Sequence, residues 1–363
     1  MISIIIPTFN EVKNISCLIS TVVNILENYK YEIIVVDDDS PDGTSIEVSK
    51  LMLNNQNIHL INRIGRSGLS SAIKEGLMFG KGEYLLVIDG DGQHDANCIL
   101  DLINIIKETN ADMVIASRFL ESSQIKGLSD KRSLGSKLAN IAARISLSSN
   151  YANLTDYLSG CFCIRRKNAE LLIRRIEING FKFLYELLAL SKGRLLIKEI
   201  PLIFKERNHG KSKLDLSIVW DFLISILHNL SQRILPRRAI SFGLVGISGV
   251  FIQLLITILL TNLFLIDFQS ALPFSVVCAA TSNFLINNQL TFRNNRLRNL
   301  ALLRGLLKFL LVASLPVIAN VGIATAFYQY ISSDTFIAQL AGIAIVYAWN
   351  YLASSLFVWN NPS

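Results

Sequence analysis

Short apolar runs alternate with longer polar stretches through the first part of the chain. Five runs are rich in branched aliphatic residues and predict β-strands: ISIIIP, YEIIVVDD, IHLINR, EYLLVIDGD and ADMVIASR. Between them lie stretches with the apolar spacing of amphipathic helices, such as residues 12–27 and 99–107. This strand–helix alternation predicts an α/β domain of Rossmann-like type, with a mostly parallel sheet and helices on both faces.

The hydrophobic pattern changes in the last third of the chain. Asp267 is the only charged residue from Ala239 to Phe292, and Asp334 is the only one from Phe309 to Trp359. Each stretch is long enough for two membrane spans of about 20 residues. We therefore predict an all-α, four-helix transmembrane domain over residues 236–363. Its helices are expected at about 239–263, 270–292, 305–330 and 336–359.

A linking segment, residues 214–235, separates these two patterns. Polar positions recur there at helical spacing, and apolar side chains fill the other face. Two interpretations fit this pattern: an amphipathic helix in the membrane surface, or a core helix of the preceding domain. The position beside the first predicted span favours the helix at the membrane interface.

Composition and charge favour a membrane protein. The 363 residues are 51% hydrophobic, with a mean hydropathy of +0.42 and a net charge of +7. Arginines precede the first predicted span, and a second basic cluster lies between the second and third spans. The second cluster consists of Arg293, Arg296, Arg298, Arg304 and Lys308. The positive-inside rule then predicts an integral protein of the cell membrane whose termini and α/β domain are cytoplasmic.

The cysteines and the N-terminus add two expectations about the compartment. The five cysteines are scattered, and the C-x-C formed by Cys161 and Cys163 lacks zinc-site spacing. We expect all five to be small buried side chains in a reducing compartment. The first residues carry neither a basic n-region nor a cleavage site, so no signal peptide is expected.

The stretch EYLLVIDGDGQHD carries the strongest chemical signal. An apolar strand runs directly into Asp89, Asp91 and Gln93, and alternate residues of an extended chain point the same way. Two carboxylates and an amide oxygen converging there suit Mg²⁺ or Mn²⁺. An EF-hand would need Gly and Glu where His94 and Leu100 stand, and a dinucleotide fingerprint lacks its third glycine. A solvated acidic turn is the remaining alternative.

Eight motifs in this order resemble a known family. They are IIPTFNE, VVDDDSPDGT, GRSGLSSAIKEG, DGDGQH, SRF, KRSLGS, DYLSGCFCIRR and RNHGKSKL. Together they are similar to the polyprenyl-phosphate glycosyltransferases of glycosyltransferase family 2, in particular the dolichol-phosphate mannose synthases. RAISFGLVGISG and NFLINNQLTFR resemble the GtrA-like membrane domains. The resemblance implies a GT-A catalytic domain over residues 1–213, inverting chemistry, and Mg²⁺ or Mn²⁺ as cofactor.

The resemblance also implies roles for individual residues. Expected metal ligands are Asp89, Asp91 and Gln93. Expected donor contacts are Pro7, Phe9, Glu11, Val36, Asp38, Gly90, Asp91, Gln93, Arg207 and Lys213. Expected acceptor-phosphate contacts are Arg118, Arg132 and Ser136, and catalysis is expected from Asp91, Arg118 and Arg207. The family usually has Ala and Leu where this chain has Gly90 and Gly92, which indicates a looser loop.

The implied function is metal-dependent transfer of a hexose, preferably mannose from GDP-mannose, to a polyprenyl or dolichyl phosphate. Transfer of glucose or N-acetylglucosamine from a UDP donor to undecaprenyl phosphate is the alternative. A non-catalytic lipid flippase or scaffold is the alternative from another class. The expected partners are the nucleotide sugar, the lipid phosphate and the membrane, and an oligomer is compatible with the sequence. No nucleic-acid partner is expected, because the arginines flank the spans without aromatic stacking platforms.

Overall fold

The computed structural model describes residues 1–65, 68–125, 130–176, 182–205, 216–330 and 335–359. Within these ranges, the side chains of residues 124–134, 216 and 315–341 lie outside the description. The chain divides into two compact units, Met1–Leu230 and Ser231–Ser363.

The first unit is built on a seven-stranded sheet. Its strands and a separate two-stranded sheet are β1 (Ile2–Thr8), β2 (Tyr31–Asp37), β3 (Ile58–Asn62), β4 (Tyr84–Val87), β5 (Met113–Ser117), β6 (Gln124–Ile125), β7 (Phe162–Arg165), β8 (Ile197–Pro201) and β9 (Ile203–Phe204). The large sheet has the order β3-β2-β1-β4-β7-β5-β8, and β6 pairs with β9. Only β7 runs antiparallel to its neighbours among these seven strands. The prediction of a mostly parallel sheet is therefore confirmed, and all five predicted strands are present.

Helices cover both faces of the sheet. They are α1 (Ile15–Ile25), α2 (Thr44–Asn54), α3 (Leu69–Phe79), α4 (Cys98–Glu108), α5 (Asp130–Ser146), α6 (Arg166–Ile173), α7 (Phe183–Ser191) and α8 (Leu216–Leu230). Alternate residues of β1 point to opposite faces, so Ile4 and Ile6 join one core and Ile5 joins the other. The first core includes residues of α1 and α4, and the second includes residues of α3, α6 and α7. Burial on both faces explains why these strands read as continuous apolar runs.

Helix α8 packs through one side against the rest of the first unit. Ile226 is buried in the second core, and the Phe222 ring lies 5.4 Å from the Tyr185 ring in an edge-on contact. Asn229 donates a hydrogen bond to the carbonyl of Ser146 at the end of α5. These contacts are those expected of a core helix, the second interpretation of this segment. Val219 and Leu223 on α8 are nevertheless exposed. A membrane-surface role for the exposed side stays a prediction.

The second unit is helical, as predicted. Its long helices are α9 (Arg237–Asn262), α10 (Phe268–Gln289), α11 (Asn299–Tyr330) and α12 (Thr335–Ala353), followed by a π-helical turn at Ser354–Val358. Among the described residues, α9 and α10 are long and apolar enough to cross a membrane by length and composition. An aromatic core closes the unit, where the Trp359 ring stacks on Phe292 with centroids 4.1 Å apart. The number of spans and their orientation stay predictions.

The cysteines are free thiols, but one expectation about them is wrong. Cys98, Cys161 and Cys163 are buried, whereas Cys17 on α1 is exposed. Cys17 lies outside the buried stripe of its helix, which is formed by Ile15, Leu18, Ile19 and Val22.

Candidate active site

Polar side chains gather where β1, β2, β4 and β5 end, at the carboxyl edge of the sheet. Ligands of open parallel sheets bind at this edge. Thr8 and Asp37 are register partners in neighbouring strands, and the Thr8 hydroxyl donates to Asp37 at 3.0 Å. Asp37 also accepts from the amide and hydroxyl of Ser40, at 3.0 and 2.6 Å, so it holds the turn after β2.

The residues predicted to hold the nucleoside lie at the ends of β1 and β2. Pro7 is buried, Phe9 is partly exposed, and the Glu11 carboxylate accepts from Asn14 Nδ2 at 2.7 Å. The Asp38 carboxylate accepts from Arg63 Nη1 and from the amide of Gly68, both at 2.8 Å. A base or ribose at Asp38 would therefore share this carboxylate with Arg63.

Val36 differs from its expected role. Its side chain is fully buried and packs with Ile34 and Ala72 inside the sheet domain. Because its side chain points into the core, Val36 can contact a ligand at this edge only through its backbone.

The metal-ligand candidates lie in a turn after β4. The strand ends at Val87, and the amide of Gln93 donates to Asp91 Oδ1 at 3.1 Å. Gly92 has a φ of +71°, a left-handed conformation that favours glycine. The three side chains are therefore presented by a turn, and the extended chain inferred from their alternation is wrong. A Cβ on Gly90 would lie 2.9 Å from Thr8 Cγ2, so an alanine at this position would require the Thr8 side chain or the turn to shift.

Asp89 lies against Gly160, which is distant in the chain, and near His94, five residues further along. A Cβ on Gly160 would lie 2.7 Å from Asp89 Cγ and closer still to Oδ2, so only glycine leaves space for this carboxylate. His94 Nδ1 lies 4.0 Å from Asp89 Oδ2. The Asp89 side chain is 29% exposed, but its Oδ1 atom is buried and has no hydrogen-bond partner in the described part of the chain. Burial raises the pKa of Asp89 above its ordinary value, against the opposing effect of His94.

The turn is tied to the segment that follows β9. The amide of Lys205 donates to the Gln93 carbonyl at 2.8 Å, and Gln93 Nε2 donates to the Lys205 carbonyl at 3.2 Å. The second bond engages the nitrogen of the Gln93 carboxamide, and the carboxamide oxygen is the atom that would bind a cation. Lys205 Nζ also lies 3.3 Å from Asp95 Oδ1. Arg207 and Lys213 lie outside the described residues, as does the side chain of Arg132.

Two cations lie close to this acidic turn. Arg118 forms a bidentate pair with Asp156, with Nε–Oδ2 at 2.7 Å and Nη2–Oδ1 at 2.9 Å. Burial alone would lower the pKa of Arg118, but the Asp156 carboxylate raises it above its ordinary value. Burial lowers the pKa of Lys182 to about 8, with Arg118 acting in the same direction and Asp89 and Asp156 opposing it. Ser136 lies partly buried on α5.

Sequence reasoning missed three residues here: Lys182, Asp156 and Gly160. Asp156 and Gly160 belong to the motif DYLSGCFCIRR, which could have drawn attention to them. Lys182 has no local signal, because a single lysine before a helix is usually a surface residue. The stacked rings of Phe162 and Phe183, with centroids 6.3 Å apart, bring Lys182 beside the segment that carries Gly160.

The donor set fits a hard divalent cation. Asp89 Oδ1 is a buried carboxylate oxygen without a protein partner in the described residues, and a cation would compensate its charge. Carboxylate and amide oxygens are ligands that Mg²⁺ and Mn²⁺ accept. No group of three or more His, Cys, Asp or Glu side chains in the described ranges forms a metal site. The predicted ligand set is not a group of that kind, because it has two carboxylates and its third ligand is the amide of Gln93.

Comparison with known proteins defines the class. Residues 3–172 match glycosyl transferase family 2, and residues 241–359 match the GtrA/DPMS transmembrane domain. The sheet, the carboxyl-edge site and these matches define a family 2 glycosyltransferase with a GT-A catalytic domain and a GtrA-type helical domain.

Individual relatives narrow the class to a family. A dolichol-phosphate mannosyltransferase from Pyrococcus furiosus is 31% identical over 360 residues, which is 99% of each chain. A polyprenol monophosphomannose synthase from Mycolicibacterium smegmatis is 29% identical, covering 61% of this chain and 84% of that protein. The chain belongs to the dolichol-phosphate mannosyltransferase family. A solved glucosyl-3-phosphoglycerate synthase from Mycobacterium tuberculosis aligns with a TM-score of 0.47 and 17% identity, covering 64% of this chain and 80% of that one.

Proposed function

We propose that this enzyme transfers mannose from GDP-mannose to a polyprenyl phosphate and so makes a lipid-linked sugar donor. The observation that carries the proposal is the match to a dolichol-phosphate mannosyltransferase over 99% of both chains. That match includes the helical part as well as the sheet domain, and a membrane-embedded acceptor needs both. The turn bearing Asp89, Asp91 and Gln93 at the carboxyl edge of the sheet supports it.

The acceptor simplifies the chemistry. A hydroxyl acceptor would need a general base, whereas a phosphate monoester is already anionic near neutral pH. Its oxygen attacks the anomeric carbon, the bond to the diphosphate breaks, and the nucleoside diphosphate leaves. A single displacement of this kind inverts the anomeric configuration. The protein's main task is to bring two anions together and hold them in line.

The chain supplies the groups that this task requires. Asp89, Asp91 and Gln93 would hold the divalent cation, which supplies Lewis-acid stabilisation of the leaving diphosphate when bound. Positive charge for the phosphates comes from Arg118 and Lys182 near the turn. Four more residues are proposed phosphate contacts from the resemblance: Arg132, Ser136, Arg207 and Lys213. Arginine suits this role because its planar group binds two phosphate oxygens at once.

The proposal is tested with the purified full-length protein, GDP-mannose, a short-chain polyprenyl phosphate and Mn²⁺. We expect mannosyl lipid to form, EDTA to abolish it and added Mn²⁺ to restore it. Asp91→Ala should lower kcat/KM at least about 100-fold, because several kcal/mol of charge stabilisation depend on the cation. Asp101→Ala is the matched control, since Asp101 is an exposed acid on α4. If transfer from UDP-glucose is faster than transfer from GDP-mannose, the proposed donor is wrong. If the enzyme is fully active in EDTA, the proposed metal dependence is wrong.

We further propose that the first unit lies on the cytoplasmic membrane surface and that the second unit spans the bilayer four times. On α5, Leu138, Ile141 and Ile145 are exposed at helical spacing. Exposed Lys137 and Arg144 flank them, which suits an anionic lipid surface. The exposed side of α8, with Val219, Leu223 and Leu230, immediately precedes the apolar helices in the chain.

Cysteine labelling of intact cells tests the orientation. In a background with Cys17→Ser and Cys278→Ser, a membrane-impermeant thiol reagent should reach Asp334→Cys and miss Ser363→Cys. Permeabilised cells are the control, and both positions should then react. The reverse pattern in intact cells overturns the proposed orientation.

A further inference from the structure

His94 is a buried side chain next to the predicted metal ligands. It is 4% exposed, and its Nδ1 atom has no hydrogen-bond partner in the part of the chain that the structure describes. The ring is held by a β-bridge between His94 and Phe204 and by an edge-on contact between the two rings, 5.4 Å apart at 80°. A histidine needed only to fill space could be replaced here by an apolar residue without leaving a buried polar atom.

The same nitrogen faces the carboxylate of Asp89. The gap from His94 Nδ1 to Asp89 Oδ2 is 4.0 Å, about 1 Å beyond hydrogen-bond distance. Gly160 also approaches Asp89, so closely that a Cβ on Gly160 would overlap the carboxylate. Gly160 and His94 therefore both lie near the Asp89 carboxylate, and its Oδ1 atom is also without a partner among the described residues.

We propose that His94 is a positioning residue for Asp89: its Nδ1–H donates to Asp89 Oδ2 when the carboxylate binds a divalent cation. The inference rests on the proposed function, since it takes Asp89 as a metal ligand. Carboxylates that bind metals are themselves hydrogen-bonded, and these outer contacts fix their orientation. The donor must be Nδ1–H, so the ring is the neutral Nδ1-protonated tautomer or the cation. The edge-on contact with Phe204 and the β-bridge hold the His94 ring in its orientation.

Three substitutions separate positioning from packing. An asparagine side chain places its amide nitrogen close to where histidine has Nδ1, and glutamine places its amide nitrogen close to Nε2. His94→Asn therefore keeps the proposed donor, His94→Gln misplaces it, and His94→Phe keeps the ring against Phe204 without any donor. The readout is the dissociation constant for Mn²⁺, measured from the free Mn²⁺ signal in electron paramagnetic resonance with the full-length protein, with and without GDP. Thermal unfolding without Mn²⁺ reports on packing.

We expect His94→Asn to bind Mn²⁺ within about threefold of wild type, and His94→Gln and His94→Phe to bind about 10- to 100-fold more weakly. Wild-type Mn²⁺ affinity in His94→Phe overturns the proposal, as does equal loss in the Asn and Gln variants. If His94→Phe does not fold, the comparison of Mn²⁺ affinity between His94→Asn and His94→Gln still tests the proposal. Asp89→Asn separates a failure of the His94 proposal from a failure of the proposed function. If Asp89→Asn leaves Mn²⁺ affinity unchanged, Asp89 is not a metal ligand, whatever the His94 variants show.

Discussion

Arg118 and Asp156 form a bidentate ion pair beside the acidic turn. The two hydrogen bonds are 2.7 and 2.9 Å long, Asp156 is fully buried and the Arg118 side chain is 14% exposed. The guanidinium carbon also lies 5.4 Å from the centre of the Phe119 ring. A phosphate contact of Arg118 must therefore use the guanidinium N–H groups that do not donate to Asp156.

Replacing Arg118 should lower the free energy of unfolding, whatever its effect on the transfer reaction. Arg118→Ala leaves the buried Asp156 charge unpaired, which destabilises proteins by about 3–5 kcal/mol. Arg118→Lys keeps the charge but loses the bidentate geometry, so an intermediate loss is expected. Thermal unfolding in detergent is the measurement. Arg166→Ala is the control, because its pair with Glu170 is exposed and contributes about 0–1 kcal/mol at most. An Arg118→Ala protein with wild-type stability and no transfer would show that the pair is dispensable for folding.

Gly160→Ala should weaken metal binding. The added methyl group would overlap Asp89, so the carboxylate must leave its position. We expect Mn²⁺ affinity to fall about 10- to 100-fold, the range seen when the support of a ligand is lost. Gly76→Ala is the matched control: its Cβ would lie 2.5 Å from Ile5 Cγ2, which overpacks the core by about 1–3 kcal/mol at a site without metal ligands. Equal Mn²⁺ affinity in the two variants contradicts the role of Gly160.

Asn288 should stabilise the basic loop of the second unit. Its Oδ1 accepts from the Leu297 amide at 2.8 Å and from Trp359 Nε1 at 3.1 Å, and its Nδ2 donates to the Leu297 carbonyl at 3.1 Å. Asn288→Ala leaves these groups unpaired at about 1–3 kcal/mol each. Trp359→Phe keeps the ring stacking and loses one bond, so its loss should be smaller.

Trypsin digestion provides the second measurement of this loop. Arg296 and Arg298 are exposed on either side of buried Leu297. We expect cleavage after these arginines to become faster in Asn288→Ala than in Trp359→Phe, and slowest in wild type. Unchanged melting and cleavage in Asn288→Ala would mean that the helices alone hold the loop.

The buried thiols should resist alkylation. Burial raises the pKa of Cys163 to about 12, and the contact with Cys98 together with burial raises that of Cys161. At pH 10 a thiol with that pKa is only about 1% thiolate. Iodoacetamide at pH 8 should therefore modify Cys17 and spare Cys161 and Cys163, as read by peptide mass spectrometry.

The raised pKa of Cys163 also makes the stability of the folded protein depend on pH. A thiol whose pKa is raised in the folded state stays protonated while the unfolded chain ionises, so its contribution is lost as pH rises from 9 towards 12. Native-state alkylation of Cys163 at the rate of Cys17 would contradict the burial. Alkylation of all thiols in denaturant is the control.

The strands and helices were predictable because their signals are local. Apolar runs such as YEIIVVDD are long enough to be buried on both faces, and the two nearly charge-free segments favour long apolar helices. The polar residues after β1, β2 and β4 were predictable for the same reason, since parallel strands end at a common edge. The geometry of the Asp89–Gln93 turn was not, because Gly92 adopts a positive φ that ends the extended conformation.

The sequence by itself determined the α/β and helical parts, the presence of acidic side chains just after β4 and the residues that resemble a known family. Tertiary structure alone decided which side chains surround Asp89. Antiparallel β7 lies between β4 and β5, and so the segment from Asp156 to Gly160 meets Arg118 and Asp89. Periodicity reports which face of an element is buried, but contacts between residues 38 or 71 positions apart depend on strand order. Strand order is set by the packing of the whole domain, and no local pattern encodes it.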